Sequence, residues 1–177
     1  VSVINGATNK VIANITVGSA SEGAAFDSSN GYVYIINGGP FYETNNVSVI
    51  NGATNKVIAN ITVGSASEGA AFDSSNGYVY IINGGPFYET NNVSVINGAT
   101  NKVIANITVG SAPEGAAFDS SNGYVYVTNE LSNSVSVING ATNKVIANIT
   151  VGLNPVGVAF DSSNGYVYVT NVGSNSV

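Results

Sequence analysis

The sequence contains no histidine, cysteine, methionine, tryptophan or arginine. Without histidine it lacks the side chain that most often acts as a general base near neutral pH, and the commonest transition-metal ligand. Without cysteine there is no disulfide, no thiolate nucleophile and no zinc–thiolate centre. Positive charge is scarce: Lys10, Lys56, Lys102 and Lys144 stand against ten acids, for a net charge of −6. That leaves no basic patch for a phosphate backbone, so nucleic acid is not an expected partner. No apolar run approaches the ~18 residues a membrane helix requires, so no membrane-spanning segment is expected. The chain opens on Val1 with no charged, apolar leader. The expectation is therefore a processed, excised or incomplete piece of a longer repeating polypeptide.

What is present is one unit written four times. Residues 1–46 and 47–92 are identical, residues 93–134 and 135–176 repeat the pattern with a shorter tail, and Val177 begins a fifth copy. A fixed period of this length marks a supersecondary unit stacked on copies of itself. At 177 residues the chain is long enough to bury a sizeable core, and the expectation is a single domain over 1–177. The apolar residues are mostly Val, Ile, Ala and Tyr, an all-β composition.

Within the third repeat the spacing predicts strands over Val93–Asn97 (VSVIN), Lys102–Val109 (KVIANITV), Gly115–Phe118 (GAAF) and Tyr124–Asn129 (YVYVTN), making a four-stranded antiparallel meander. Asn122-Gly123 reads as a tight type I′ hairpin turn, in which both central residues take positive φ. YVYVT and KVIANITV show little polar alternation, so both faces of each sheet should be covered, as in radially stacked blades. The small residues of GAAF suit a crowded innermost strand.

Tyr124–Asn129 and Tyr166–Asn171 both read YVYVTN, preceded by PxGxAF at Pro113–Phe118 and Pro155–Phe160 and followed by SNSVSVIN at Ser132–Asn139. This resembles the YVTN β-propeller repeat family, known from archaeal surface-layer proteins. The first two repeats depart from the pattern, with Ser21 and Ser67 in place of proline and YIIN at Tyr34–Asn37 and Tyr80–Asn83. The resemblance implies a β-propeller with GAAF innermost, then YVYVTN, then VSVIN, and KVIANITV outermost. Residues 1–18 would then pair with residues 157–171 and close a ring of four blades, or the chain would form a slice of a larger propeller.

Asp27, Asp73, Asp119 and Asp161 end the inner strands, where four carboxylates around one mouth suit an oxygen-ligated cation. The stronger reading makes each an Asx cap of its own DSSNG turn. Glu22, Glu68 and Glu114 enter the inner strands on one face and read as solvated charges. The long segments of the first two repeats carry Phe41, Tyr42 and Glu43, and again Phe87, Tyr88 and Glu89. Aromatic residues on such loops suit a binding role, or alternatively cover the adjacent blade. Asn14, Asn60, Asn106 and Asn148 begin Asn-Ile-Thr, and Asn46 and Asn92 begin Asn-Val-Ser, all glycan-acceptor sequences on a secreted chain.

Identical units present the same groups repeatedly, which suits scaffolding and multivalent adhesion better than one asymmetric catalytic centre. The leading expectation is a noncatalytic, extracellular cell-surface module without a cofactor. Its expected partners are other surface proteins or glycans, with self-association a further expectation. The alternatives are a carbohydrate- or peptide-binding propeller using the aromatic loops and, behind it, a propeller enzyme such as a lactonase or a quinoprotein-like dehydrogenase.

Overall fold

The structure, a computed structural model, describes residues 1–38, 45–84 and 90–177. The described residues form strands joined by turns. β1 (Ser2–Asn5) and β2 (Lys10–Asn14) make a two-stranded sheet. Three four-stranded antiparallel sheets follow. The first contains β3 (Ser21–Asp27), β4 (Tyr32–Asn37), β5 (Asn46–Asn51) and β6 (Lys56–Thr62). The second contains β7 (Ser67–Asp73), β8 (Tyr78–Asn83), β9 (Asn92–Asn97) and β10 (Lys102–Thr108). The third contains β11 (Pro113–Asp119), β12 (Tyr124–Asn129), β13 (Ser134–Asn139) and β14 (Lys144–Thr150). A second two-stranded sheet, β15 (Pro155–Asp161) and β16 (Tyr166–Asn171), ends the chain.

Each full sheet is a meander in sequence order, as predicted. The two middle strands pair without interruption, from Tyr32 opposite Asn51 to Asn37 opposite Asn46. The outer two ladders each carry a bulge. In the GAAF strand it falls at Glu22 and Glu68, and in the third sheet across Glu114-Gly115. In the KVIANIT strand it leaves Ile12, Ile58, Ile104 and Ile146 unpaired and exposed.

Because both faces of the middle strands are apolar, the core lies between sheets. Alternate residues of one strand serve opposite neighbours. Val79 and Ile81 of β8 pack back against Tyr34, Ile36, Val47 and Val49. Tyr80 and Ile82 of the same strand pack forward against Val125, Val127 and Ile138. The GAAF strands follow one another across the stack, β3 on β7, β7 on β11 and β11 on β15. Their glycines permit that approach, since a Cβ on Gly23 would lie 2.9 Å from the Glu68 carbonyl oxygen.

Two expectations need correction. The DSSNG turn is a longer loop than type I′: Gly31 donates its N–H to the Asp27 carbonyl at 2.9 Å, and positive φ falls on the glycine alone, at 74°. In the NGATN turn positive φ falls on the last asparagine, as at Asn101 with φ 53°. The ring closure expected between residues 1–18 and 157–171 is absent, for β1–β2 and β15–β16 are separate sheets with no ladder joining them. The physical reason is that the relation between successive sheets is set by the side chains packed between them. A sequence offers complementary strands at its two ends without fixing the angle that would bring them together.

Candidate functional site

The bulges near the start of β3, β7 and β11 gather like charges from three successive sheets round one cavity. Bulges re-aim side chains at such places. Here they present Glu22, Glu68 and Glu114 to a cavity of about 430 Å³, also lined by Gly69, Gly115 and Val156. Glu22 is exposed, whereas Glu68 and Glu114 are half-buried. Burial pushes the Glu114 carboxyl up to about 8, and its hydrogen bond with Glu68 and the nearby charges of Glu68, Glu130 and Glu22 add to the effect. Burial also raises Glu68, against the lowering effect of its hydrogen bond with Glu114. Both shifts favour the protonated form, because two adjacent carboxylates in a partly dry site cannot both ionise cheaply. Reading these residues as solvated charges fits Glu22 and misses the other two. The signal lay in the repeat itself, which sets identical acids on adjacent inner strands.

Each described Asp of the DSSNG turn caps its own loop. Asp27 Oδ1 accepts from the Ser29 N–H at 2.9 Å and from Ser29 Oγ at 2.5 Å, and Oδ2 accepts from Asn30 Nδ2 at 2.7 Å. Asp73 is bound alike, and Asp119 and Asp161 keep the two serine contacts. The serine bonds hold the Asp161 carboxyl below the usual range. Asp27 and Asp73 thus spend both oxygens on the turn, and Asp119 and Asp161 spend Oδ1. Among the described residues no group of three or more acids is placed to hold a metal ion.

The same turn bonds the next sheet. Asn30 Nδ2 donates to the Gly98 carbonyl at 3.1 Å, and the Tyr34 hydroxyl donates to Asn101 Oδ1 at 2.8 Å. One sheet later, Asn76 reaches Gly140 at 3.1 Å and Tyr80 reaches Asn143 at 2.9 Å. Burial pushes both tyrosines up to about 12, so they remain neutral donors.

A polar ladder crosses each sheet at the other end. Ser21 Oγ donates to Asn37 Oδ1, Asn37 Nδ2 donates to Asn46 Oδ1 and Ser48 Oγ, and Ser48 Oγ donates to Asn60 Oδ1, all at 2.8–2.9 Å. The ladder recurs from Ser67 through Asn83 and Ser94 to Asn106. In the third sheet Pro113 stands where the serine was, and the buried Asn129 Oδ1 has no partner.

The ladder divides the six glycan-acceptor sequences. Asn14, Asn60, Asn106 and Asn148 lie exposed on outer strands. Asn46 and Asn92 are half-buried, each accepting from the preceding strand's asparagine, and their Ser48 and Ser94 are fully buried. Of the loop candidates, Phe41, Tyr42, Glu43, Phe87, Tyr88 and Glu89 lie outside the described residues.

No family model matches the chain, and no curated protein matches it in sequence. Solved structures do resemble it. A hydrazine synthase from Kuenenia stuttgartiensis superposes with TM-score 0.73 at 19% identity, over 92% of this chain and 49% of that one. A functionally unknown protein from Desulfotomaculum acetoxidans superposes with TM-score 0.77 at 18% identity, over 92% and 52%. U3-55K does so with TM-score 0.68 at 13% identity, over 91% and 51%. The chain thus spans about half the length of the structures it matches. At such identity the likeness shows the fold, a repeat architecture of four-stranded antiparallel sheets, and nothing of activity.

Proposed function

We propose that this chain is a noncatalytic cell-surface module of the β-propeller type, a structural or adhesive component of a surface layer, working outside the cell and carrying glycans on its outer strands. Four exposed asparagines, one per repeat, each beginning Asn-Ile-Thr and each on the KVIAN strand of its sheet, are the observation that carries this reading. Successive packing of the small-residue strands supports a radial arrangement with those strands near the axis. The YVYVTN resemblance supports the surface-layer assignment. The noncatalytic reading rests on repetition: the serine-capped aspartate turn recurs in all four repeats, the polar ladder recurs with Pro113 replacing its first serine in the third sheet, and the sequence has no histidine.

The test is fractionation of the native cells with mass spectrometry of the chain's glycopeptides. Recovery in the envelope fraction with glycan on Asn60 or its equivalents is expected. Recovery as an unmodified soluble cytoplasmic protein would overturn the reading. A screen of the purified protein for hydrolase, lactonase and dehydrogenase turnover tests the noncatalytic part, and a turnover abolished by Glu114→Gln would defeat it.

A further inference from the structure

The Asn-Ile-Thr sequences of successive repeats meet in grooves between the sheets. Between the first and second full sheets, Thr62 and Val63 form one wall of a groove of about 390 Å³, and Asn92, Ser94, Val103 and Asn106 form the other. Between the second and third full sheets, Thr108 and Val109 face Ser134, Val145 and Asn148 across a groove of about 350 Å³. A further groove of about 490 Å³ sets Thr16 against Asn60. Each groove thus takes the threonine of one Asn-Ile-Thr and the asparagine of the next. The argument needs only the two grooves that lie between full sheets.

The polar ladder fixes which way each groove asparagine points its amide. Asn83 Nδ2 can only donate, so the fully buried Ser94 Oγ accepts from it at 2.9 Å and gives its own hydrogen to Asn106 Oδ1 at 2.8 Å. Asn129, Ser136 and Asn148 repeat the arrangement at 3.0 and 2.8 Å. With Oδ1 committed to the sheet, Nδ2 of Asn106 and of Asn148 makes no hydrogen bond among the described residues, and both side chains are exposed. Thr62 and Thr108 on the facing walls are exposed as well. No charged side chain lines any of the three grooves, although the chain carries a net charge of −6.

We propose that each groove binds one residue of a neutral sugar chain carried by another molecule. Sugar hydroxyls both donate and accept, which suits a wall of threonine and serine hydroxyls with one amide donor held ready at Asn106 or Asn148. Val63 and Val103, or Val109 and Val145, supply apolar contact for the C–H face of the ring. Cavities of this size with a few placed polar groups among apolar ones take small ligands. An ionised ligand would lose its water there and find no opposite charge. Each contact is weak, and like grooves on one chain multiply it. The inference goes beyond the surface reading and does not depend on it, because the grooves require no glycan on the chain itself and are the same in any compartment.

The probe is N,N′-diacetylchitobiose, a neutral disaccharide, titrated into the 177-residue chain made in a host without N-glycosylation and followed by backbone amide NMR. Saturable shifts are expected at Thr62, Val103 and Asn106 and at Thr108, Val145 and Asn148, with glucuronic acid giving weaker ones. Asn106→Asp keeps an oxygen to accept from Ser94 and replaces the free donor with a charged oxygen, so it should weaken binding at its own groove about 10-fold. Thr62→Val, on the facing wall, should weaken the same groove. The Asn148 groove should stay unchanged in both variants, which shows in the same sample that the chain has folded. Shifts absent at the highest soluble sugar concentration, or spread evenly over exposed residues, would overturn the proposal. So would Asn106→Asp binding the sugar at its own groove as tightly as the parent.

Discussion

The Tyr34 hydroxyl of one sheet donates to the Asn101 side chain of the next at 2.8 Å, 67 residues further along the chain. Tyr34 stands in the middle of an apolar strand, and Asn101 owes its position to the positive φ that ends its turn. The contact adds a directional bond between neighbouring sheets to the apolar packing around Tyr34. Tyr80→Phe, which removes the equivalent bond to Asn143, should lower the unfolding free energy in urea by about 1–2 kcal/mol. Tyr168→Phe, at an exposed site, should change it by less than about 0.5 kcal/mol.

The receiving turns are also tight. A Cβ on Gly98 would run into the Asp27 carboxylate, and one on Gly140 into Asp73, whereas one on Gly6 meets nothing within 4 Å. Gly98→Ala and Gly140→Ala should each cost about 1–3 kcal/mol, as overpacking does. Gly6→Ala is expected to be nearly neutral by the same denaturation measurement.

The polar ladder allows a comparison inside one molecule. Asn83 is fully buried and joins Ser67, Asn92 and Ser94, so Asn83→Ala strands several groups and should cost about 2–4 kcal/mol. Asn129, whose oxygen already lacks a partner beside Pro113, should lose less on the same change. Thermal unfolding of the two variants decides the order, and equal losses would show that the serine contributes nothing.

Stability should fall as pH rises from about 5 to 9. The folded Glu114 carboxyl is raised to about 8, chiefly by burial, while in the unfolded chain it titrates in the ordinary carboxylate range. Between those values the folded state holds more protons, and this is the condition under which alkali destabilises. The size is modest because the group is half exposed to water. Glu114→Gln should flatten the slope and raise the melting temperature at pH 8 relative to the parent; a steeper slope in the variant would contradict the raised Glu114 carboxyl.

Expression in a host that glycosylates Asn-X-Ser/Thr should separate the six sequences once the chain has folded. Asn60 and Asn106 are exposed and their hydroxyl residues Thr62 and Thr108 are exposed as well. Asn46 and Asn92 pair with buried serines. Glycopeptide mapping should find occupancy at the first two well above that at the second two, and the reverse order would mean modification before folding.

Much of the architecture was readable from local chemistry. The strand runs, their order and their antiparallel pairing follow from β-branched stretches separated by turn residues, because these preferences act over a few residues. The capping role of Asp27 was legible for the same reason, since its partners Ser29 and Asn30 lie two and three residues away. The repeat period announced that each sheet would meet a near copy of itself.

Relations between sheets belong to the tertiary structure. That Glu68 and Glu114 line one cavity, that Tyr34 finds Asn101, and that Asn60 is open while Asn46 is shut all depend on where bulges fall and how far one sheet turns against the next. The separation of β1–β2 from β15–β16 has the same origin. A sequence specifies which strand edges match, because hydrogen-bonding and side-chain alternation are local. The angle at which sheets stack is a sum of packing contacts between distant residues, and only the folded chain carries it.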